Sequence, residues 1–335
     1  MAATTNDIPE THNDKPRAAV IGAGSMGTLI AAALGQVMPV VLVCRSNERA
    51  SQLFKWGARS EGLIKAESRP IIVRSLDEVP NAGGASLLIV ATKTTAIPSV
   101  SEDIKRVLND LCRDPKGPLV VSFQNGIDPG RELVERIEHE RVLRMVLTLG
   151  AQLTPDGRSA HVSLNQAPHA IGSIDPGLRC AGERVAALFT SGGLETAYSD
   201  DIEASVWAKG IMNASVNPVS ALVNCTVGDV LDSPSEAIVL RLMHEGIAVA
   251  RAAGIGLPET YEQRSVELLE FARPHVPSMV EDIRNGRESE IGQLNRQIIA
   301  HGRRLGVPTP THETIDALIE TFDWKVYRRR TEDRP

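Results

Sequence analysis

Short apolar runs alternate with helix-like segments in the first 123 residues of the chain. Runs of four or five residues rich in Val, Ile and Leu are typical of strands that are buried on both faces. They occur at 18–21, 40–44, 70–73, 87–91 and 119–123. Segments with helical spacing lie between them, such as 25–34 and 97–111. The alternation predicts an α/β fold with a doubly wound parallel sheet, covered by helices on both faces.

The pattern of apolar positions changes twice further along the chain. We expect the strand-like runs 142–149, 159–164 and 169–174 to add antiparallel strands to the sheet. From Asp201 onward the apolar spacing is almost entirely helical, with helices predicted at 201–223, 234–253, 258–272, 277–284, 287–305 and 311–322. This change predicts a doubly wound domain over 17–199 and an all-α domain over 200–335. The polar residues 1–16 are predicted to be a flexible tail.

Length and charge narrow the class of protein. A chain of 335 residues is long enough for two domains. It carries 36 basic and 42 acidic residues, a net charge of −6, and only 3% of its residues are aromatic. Proteins that bind nucleic acids use basic surfaces and aromatic stacking platforms, so the composition argues against a nucleic-acid partner.

Cysteine and histidine spacing argues against a metal site, and the apolar pattern argues against a membrane partner. The four cysteines stand 68, 68 and 45 residues apart, and the eight histidines form no His-x-x-x-His or Glu-x-x-His pair. The uncharged stretch 18–44 contains four glycines and a proline, which break it into pieces too short for a membrane span. Because residues 1–16 hold no apolar segment typical of a secretory signal, we expect a cytoplasmic protein.

A glycine-rich turn joins the first predicted strand to the first predicted helix. Its sequence, Gly22-Ala23-Gly24-Ser25-Met26-Gly27, fits the pattern G-x-G-x-x-G. In such turns the first glycine permits a tight bend, the second lets a pyrophosphate approach the backbone, and the third lets helix and strand pack closely. The helix N-terminus then meets the phosphate charge. The turn predicts a Rossmann-type domain whose dinucleotide is contacted by Gly22, Gly24, Ser25, Met26 and Gly27.

Arg45 follows the second predicted strand, where NAD-binding domains place an acidic residue on the ribose hydroxyls. A guanidinium at this point can pair with a 2′-phosphate through two hydrogen bonds, and the neighbouring Ser46 can donate a third. The sequence therefore favours NADP(H) over NAD(H). The alternative is an ordinary surface arginine, because Glu48 lies close by in sequence.

Two polar side chains follow the next strands of the predicted sheet. Lys93 comes after the strand 87–91, and Asn125 comes after the strand 119–123. Ligands of open α/β sheets bind outside the carboxyl ends of the strands. We therefore expect both residues at the cofactor and substrate site, although a single strand-end lysine is more commonly a solvated surface residue.

A polar stripe marks the first helix of the predicted all-α domain. Lys209, Asn213 and Asn217 are spaced four residues apart, which places them on one helix face in steps of about 6 Å. The residues around them are small or apolar, so buried amides and an ammonium need partners, and a substrate carboxylate and carbonyl could supply them. The alternatives are a polar contact between helices or an Asn217 that caps a helix break at Pro218.

Ser278 and Glu290 lie at the starts of two short predicted helices. A chain reversal at Asn285-Gly286 allows these helices to fold back on each other and bring the two side chains together. From the residues alone, the better explanation is that Glu288 or Glu290 only complements the dipole of a helix N-terminus.

In combination and order, these motifs closely resemble the ketopantoate reductase family (2-dehydropantoate 2-reductases). The resemblance spans about 17–321 and rests on the glycine-rich turn, Thr92-Lys93, Gln124-Asn125-Gly126, Trp207-x-Lys209-x3-Asn213-x3-Asn217-Pro218, Ser278-Met279-x2-Asp282-Ile283, Ser289-Glu290-Ile291-x3-Asn295 and Gly306-Val307-Pro308-x-Pro310. The ordered set is far more specific than any single motif.

The resemblance implies an N-terminal Rossmann domain, a C-terminal all-α domain and NADPH-dependent reduction of 2-dehydropantoate to (R)-pantoate in pantothenate biosynthesis. It implies hydride transfer to the 2-oxo carbon, with Lys209 as the general acid and Glu290 as an essential carboxylate. It implies substrate contacts from Asn213, Asn217, Ser278 and Asn125, and cofactor contacts from Lys93 and Asn125. The partner is then a small 2-oxo acid, and a homodimer is left open.

Three alternatives to this function stay open. A related reductase could act on another small 2-oxo acid in secondary metabolism, because Val227 and Gly292 depart from residues that the family often has. A β-hydroxyacid dehydrogenase also has a lysine followed four residues later by an asparagine, but the Ser278 and Glu290 pair argues against it. A non-catalytic sensor would bind NADPH without turnover.

Overall fold

The computed structural model describes residues 17–173 and 175–325. The chain divides into two compact units. The first unit holds the residues up to Gln124 and Pro129–Ile202, and the second holds Asn125–Asp128 and the residues from Glu203 onward. The short segment Asn125–Asp128 therefore belongs to the second unit, although it lies between a strand and a helix of the first. The predicted tail at 1–16 lies outside the described residues.

The residues of the first unit that the structure describes form twelve strands in two sheets. In chain order they are β1 (Ala18–Ile21), β2 (Val40–Val43), β3 (Ala58–Gly62), β4 (Ala66–Ser68), β5 (Ile71–Val73), β6 (Leu87–Val90), β7 (Leu119–Ser122), β8 (Val142–Val146), β9 (Leu149–Leu153), β10 (Ala160–Asn165), β11 (His169–Gly172) and β12 (Thr196–Tyr198). The main sheet has the order β12-β11-β8-β7-β6-β1-β2-β5. Its six strands from β8 to β5 are parallel, and only β11 runs antiparallel to its neighbour β8.

This strand order is the Rossmann order: successive strands of this sheet are added on one side of β1 up to β5, and from β6 onward they are added on its other side. β1, β2, β6 and β7 are buried along their whole length, as their continuous Val, Ile and Leu content predicts. The predicted doubly wound α/β fold is confirmed. The carboxyl ends of β1 and β6 form the crevice in which such sheets bind ligands.

A second sheet of four strands, in the order β4-β3-β10-β9, corrects one expectation. The runs 142–149 and 159–164 were expected as antiparallel additions to the main sheet. Instead, β8 joins the main sheet in parallel with β7, and the chain then leaves that sheet after Val146 and enters the second sheet at Leu149. β10 pairs with β3 in parallel and with β9 antiparallel. β3 and β4 are mainly polar strands, so their sequence carries only a weak strand pattern and their sheet was missed.

Helices complete the first unit: α1 (Ser25–Leu34), α2 (Asn47–Trp56), α3 (Ile97–Val107), α4 (Pro129–Ile137) and α5 (Arg179–Ser191). α1 contacts strands of both sheets, which explains why it is buried from Gly27 to Leu34 and carries no charge. It was predicted from its sequence with the same bounds, since small and apolar helix formers fill it.

The second unit is helical. Its helices are α6 (Ile202–Val223), α7 (Val227–Leu231), α8 (Glu236–Ala252), α9 (Tyr261–Phe271), α10 (Ser278–Arg284), α11 (Asn295–Leu305) and α12 (Pro310–Asp323). The all-α character predicted for this part of the chain is confirmed. The helix predicted at 287–305 is shorter, because Glu290 precedes a 3-10 turn at Ile291–Gln293 and α11 starts only at Asn295.

Pro218 lies inside α6 and does not break it. Proline has no N–H, so the carbonyl of Ala214, four residues earlier, loses its helical donor. The Asn295 side chain fills this vacancy, since its Nδ2 donates to the Ala214 oxygen at 2.9 Å. The same Nδ2 lies 3.0 Å from Nδ1 of His312, whose Nε2 lies 2.9 Å from the carbonyl oxygen of Leu242. The network joins α6, α11, α12 and α8, and it holds the polar stripe of α6 in a continuous helix.

Candidate active site

The glycine-rich turn gives each of its three glycines a different structural role. Gly22 has φ +105°, a conformation that L side chains rarely adopt. A Cβ on Gly27 would lie 1.7 Å from the carbonyl oxygen of Gly22, so only glycine lets α1 approach the turn. At Gly24, by contrast, none of the described residues has an atom within 4 Å of a built Cβ. The backbone of Gly24 is therefore open to a ligand.

The N-terminus of α1 lies directly beside this open position. Ser25 and Met26 form its first turn and are half-buried. The turn contains no acidic residue, and Gly24 at the N-cap offers no side chain to the first N–H groups. These groups carry partial positive charge and favour an anion. The geometry suits a pyrophosphate.

Basic side chains gather at the carboxyl end of β2. Arg45 is exposed and pairs with Asp103. Arg74, which directly follows the neighbouring strand β5, donates to the carbonyl oxygens of Ser46 (2.9 Å) and Arg45. Arg49 of α2 donates to the carbonyl oxygen of Ala23 inside the glycine-rich turn at 3.0 Å. Sequence reasoning missed Arg74 and Arg49. The position of Arg74 directly after a strand run was a signal that could have found it.

Lys93 lies beyond the end of β6, where it precedes a 3-10 turn at Thr94–Ala96 and is exposed. Beyond the end of β7, the Gln124 side chain donates to the carbonyl oxygen of Val90 at 3.0 Å. Nη2 of the buried Arg144 on β8 donates to the carbonyl oxygen of Gln124 at 2.6 Å. These two side chains thereby join β8 to the carboxyl ends of β6 and β7, and they fix the chain at the residue that precedes Asn125.

In the second unit, three of the predicted residues form a hydrogen-bonded cluster. Nζ of Lys209 donates to Oδ1 of Asn125 at 2.9 Å. Nδ2 of Asn125 donates to Oε2 of Glu290 at 3.3 Å. Lys209 and Asn125 are half-buried, and Glu290 is buried at 9% exposure. One amide thus contacts both an ammonium and a carboxylate, and it fixes the direction of each.

Asn213 and Asn217 follow Lys209 along α6, as the four-residue spacing predicts. Asn213 is half-buried and Asn217 is buried. The structure shows no hydrogen bond between either side chain and any of the residues it describes. Because buried amides strongly favour hydrogen-bonded partners, these two suit a polar ligand. Neither Asn213 nor Asn217 caps a helix end, which removes that alternative for Asn217.

Ser278 is the first residue of α10 and is exposed. Among the described residues, no hydrogen bond joins it to the cluster of Lys209, Asn125 and Glu290. The structure therefore brings Glu290 to Lys209 through Asn125, and it does not join Ser278 to Glu290 directly.

A buried carboxylate supports the backbone beside Glu290. Oδ1 of Asp323, the last residue of α12, accepts from the Ser289 N–H at 3.1 Å, and its Oδ2 accepts from the Ser289 hydroxyl at 2.6 Å. Asp323 is 3% exposed. Sequence reasoning missed Asp323, because nothing in a helix-ending Phe-Asp-Trp sequence indicates a partner 34 residues earlier.

No group of three or more His, Cys, Asp or Glu that could hold a metal ion occurs among residues 17–173 and 175–325. Within those ranges, no helix is long and apolar enough to cross a membrane.

Comparison with known proteins identifies the family. The family model described as "Ketopantoate reductase PanE/ApbA" matches residues 18–176. The model described as "Ketopantoate reductase PanE/ApbA C terminal" matches residues 201–323. The two matches together cover most of the chain and follow each other in the family's order. The chain belongs to the ketopantoate reductase family.

The resemblance read from the motifs is therefore confirmed, and similar proteins agree with it. The 2-dehydropantoate 2-reductase of Halobacterium salinarum is 26% identical over 308 residues, which cover 90% of this chain and 97% of that protein. The crystal structure of a ketopantoate reductase from Ralstonia eutropha has a TM-score of 0.80 at 24% identity and covers 92% of this chain and 99% of its own.

A second solved structure with a similar fold has a different name. A D-mandelate dehydrogenase solved with NADH and anilino(oxo)acetate has a TM-score of 0.81 at 22% identity, with 92% of this chain and 99% of that chain covered. At this identity the likeness shows the shared ketopantoate reductase fold alone.

Proposed function

We propose that this ketopantoate reductase family member reduces 2-dehydropantoate to (R)-pantoate with NADPH, a step of pantothenate biosynthesis. The observation that carries the proposal is the hydrogen-bonded cluster of Lys209, Asn125 and Glu290, which provides an ammonium in a fixed direction. Family membership supplies the reaction type, and the cluster supplies the residues for it.

The first unit is proposed to bind the dinucleotide. The open backbone at Gly24 and the first turn of α1 suit its pyrophosphate. Arg45, with Arg74 beside it, suits a 2′-phosphate, because a guanidinium pairs with phosphate through two hydrogen bonds. When bound, the reduced nicotinamide supplies the hydride that converts the 2-oxo group to a hydroxyl. Lys93 and Asn125, which follow β6 and β7, are proposed as further cofactor contacts.

Lys209 is proposed to deliver the proton. An ammonium has three N–H donors, and the bond to Asn125 uses one of them and orients the group. A donor aimed at the carbonyl oxygen stabilises the negative charge that grows there during hydride transfer, an effect of about 3 kcal/mol. The proton then moves from Nζ to the oxygen, which leaves the lysine neutral until it takes a proton from solvent.

The remaining residues are proposed to hold the substrate. Asn213 and Asn217 offer amide donors for a carboxylate, and their side chains are oriented by a helix. Ser278 offers a hydroxyl for the distal hydroxyl group of the substrate. Glu290 is proposed to orient the Lys209 ammonium through Asn125 or to accept from a substrate hydroxyl.

A second candidate is reduction of another small 2-oxo acid in secondary metabolism. Two observations favour it. Val227 is buried at the start of α7, where some members of the family have a polar residue. At Gly292, a built Cβ would meet only the end of the Arg296 side chain, at 3.9 Å, so the position that often holds an Asp has space but no carboxylate.

The test is NADPH oxidation with 2-dehydropantoate and with a panel of smaller 2-oxo acids, repeated with NADH. We expect the highest kcat/KM with 2-dehydropantoate and NADPH. Another 2-oxo acid at the top of the panel would establish the second candidate. Binding of NADPH without turnover of any acid would establish a sensor instead. Full activity in both Lys209→Ala and Glu290→Ala would exclude the proposed roles of these residues.

A further inference from the structure

We propose that Gln297 is a positioning residue of this active site. Gln297 holds the loop Asn125–Asp128 in place and thereby fixes the geometry of the hydrogen bond between Asn125 and Lys209. The inference rests on the proposed function, because it concerns the same lysine. It concerns a residue outside the motifs that identified the family.

The loop is attached to α11 through its backbone. Oε1 of Gln297 accepts from the N–H of Ile127 at 2.9 Å and from the N–H of Asp128 at 3.0 Å. Ile127 is buried at 3% exposure, so its N–H has little access to water. Leaving a buried donor without a partner is unfavourable, and one side-chain oxygen satisfies two donors here.

The side-chain amide of Gln297 is held with its oxygen toward the loop. Its Nε2 donates to Oε1 of Gln293 at 2.7 Å. Because the nitrogen is occupied by Gln293, the oxygen is the atom that faces the loop. Both glutamines lie within one turn of the α11 N-terminus, so the acceptor is carried by a rigid element.

The loop also packs against the helix that carries the lysine. Gly210 follows Lys209, and a Cβ at Gly210 would lie 3.0 Å from Cγ1 of Ile127. The absence of a side chain at Gly210 thus allows Ile127 to contact α6 closely. The two Gln297 bonds and this contact fix the loop at Ile127, only two residues beyond Asn125.

A second attachment lies at the end of the same loop. Nε2 of His301 lies 2.9 Å from Oδ2 of Asp128, and its ring packs edge-on against Trp207 with centroids 5.0 Å apart. This attachment holds a side chain, whereas Gln297 holds the backbone that leads to Asn125. Backbone placement decides where the Asn125 amide lies, and a misplacement of about 1 Å can lower a rate by roughly 100-fold.

The test compares Gln297→Leu with Gln297→Glu. Leucine removes the acceptor, whereas glutamate keeps an oxygen for both N–H groups. For Gln297→Leu we expect kcat to fall about tenfold or more, with little change in the Kd for NADPH. For Gln297→Glu we expect a kcat within about threefold of the native value. Gln263→Leu, a change at an exposed glutamine of α9, is the matched control and should match native.

A double-mutant cycle with Asn125→Ala separates positioning from general damage. If Gln297 acts through Asn125, adding Gln297→Leu to Asn125→Ala lowers kcat by less than about twofold more. If the two substitutions instead lower kcat by independent factors that multiply in the double variant, the inference is overturned.

A crystal structure of Gln297→Leu gives a readout that does not depend on turnover. We expect the 2.9 Å bond between Lys209 Nζ and Asn125 Oδ1 to be lost in Gln297→Leu and kept in Gln297→Glu. An intact bond in Gln297→Leu would overturn the inference even if native protein reduces no 2-oxo acid. Absence of turnover in native protein would contradict the proposed function alone.

Discussion

The two units of this protein present their chemistry in different ways. In the first unit, the features that suit the pyrophosphate of a dinucleotide lie within six consecutive residues, 22–27, and depend on backbone conformation. In the second unit, the cluster is made of side chains that lie far apart in sequence: Asn125 is 84 residues from Lys209 and 165 from Glu290. A backbone site can be recognised from a short motif, whereas a side-chain site depends on how distant segments pack.

The largest effect is expected for Gly27→Ala, because its methyl group would lie 1.7 Å from a backbone oxygen. We expect the free energy of unfolding to fall by more than about 3 kcal/mol, measured by urea denaturation. Gly24→Ala is the matched comparison, since none of the described residues lies within 4 Å of its Cβ and its φ of −72° suits alanine.

For Gly24→Ala we expect an unchanged unfolding midpoint and a Kd for NADPH that rises about tenfold or more, equivalent to about 1.4 kcal/mol. Calorimetric titration measures the affinity. Unchanged NADPH affinity in Gly24→Ala would show that no ligand approaches this backbone, and the contrast between a backbone-built and a side-chain-built site would fail.

The next effect concerns the Asn295 network of the second unit. Asn295→Leu leaves the Ala214 carbonyl without its donor and removes the partner of Nδ1 of His312. We expect a loss of about 2 to 3 kcal/mol in the free energy of unfolding. Pro218→Ala restores a helical N–H four residues after Ala214, so it should recover about 1 kcal/mol in the Asn295→Leu background and much less in native protein. Equal effects in both backgrounds would show that Asn295 does not compensate for the proline.

The smallest effect is a dependence of the free energy of unfolding on pH, which originates in the second unit. Burial lowers the pKa of His312 to about 4, from an ordinary value near 6.5. Between these values the unfolded chain binds more protons than the folded chain, so stability rises with pH and falls as the pH drops through this window. Between pH 7 and pH 5, His312 lowers the free energy of unfolding by about 2 kcal/mol.

His312→Gln is the variant that tests it, because glutamine offers an acceptor and a donor without titrating. We expect native protein to lose about 2 kcal/mol more than His312→Gln between pH 7 and pH 5 in urea denaturation. Identical pH profiles would show that His312 is not held neutral by burial.

Sequence patterns predicted most helices and the main sheet except its edge strand β12, because continuous apolar strands and amphipathic helices carry strong signals. β1 and α1 agree with their predicted bounds, and α6 begins one residue later than predicted. The second sheet was missed because β3 and β4 are mainly polar and three residues of β9 are only partly buried. Pairing between distant strands decides their structure, and local pattern does not report it.

The candidate site was predictable only where a local sequence pattern places its residues. The spacing of Lys209, Asn213 and Asn217 places them on one helix face, and the structure has them in one helix. The bond between Asn125 and Glu290 depends on a loop that packs with the second unit, which no local pattern reveals. Gln297 and Asp323 were missed because their partners are backbone groups or side chains at long sequence separation.

The central claim is that Lys209 supplies the proton during reduction of a 2-oxo acid. Its most direct test is single-turnover NADPH oxidation by Lys209→Ala, with NADPH affinity measured in parallel and Lys65→Ala, at an exposed lysine, as the control. We predict a rate of hydride transfer lower by about 100-fold or more, equivalent to about 3 kcal/mol, with NADPH affinity unchanged. A native rate in Lys209→Ala would contradict the claim.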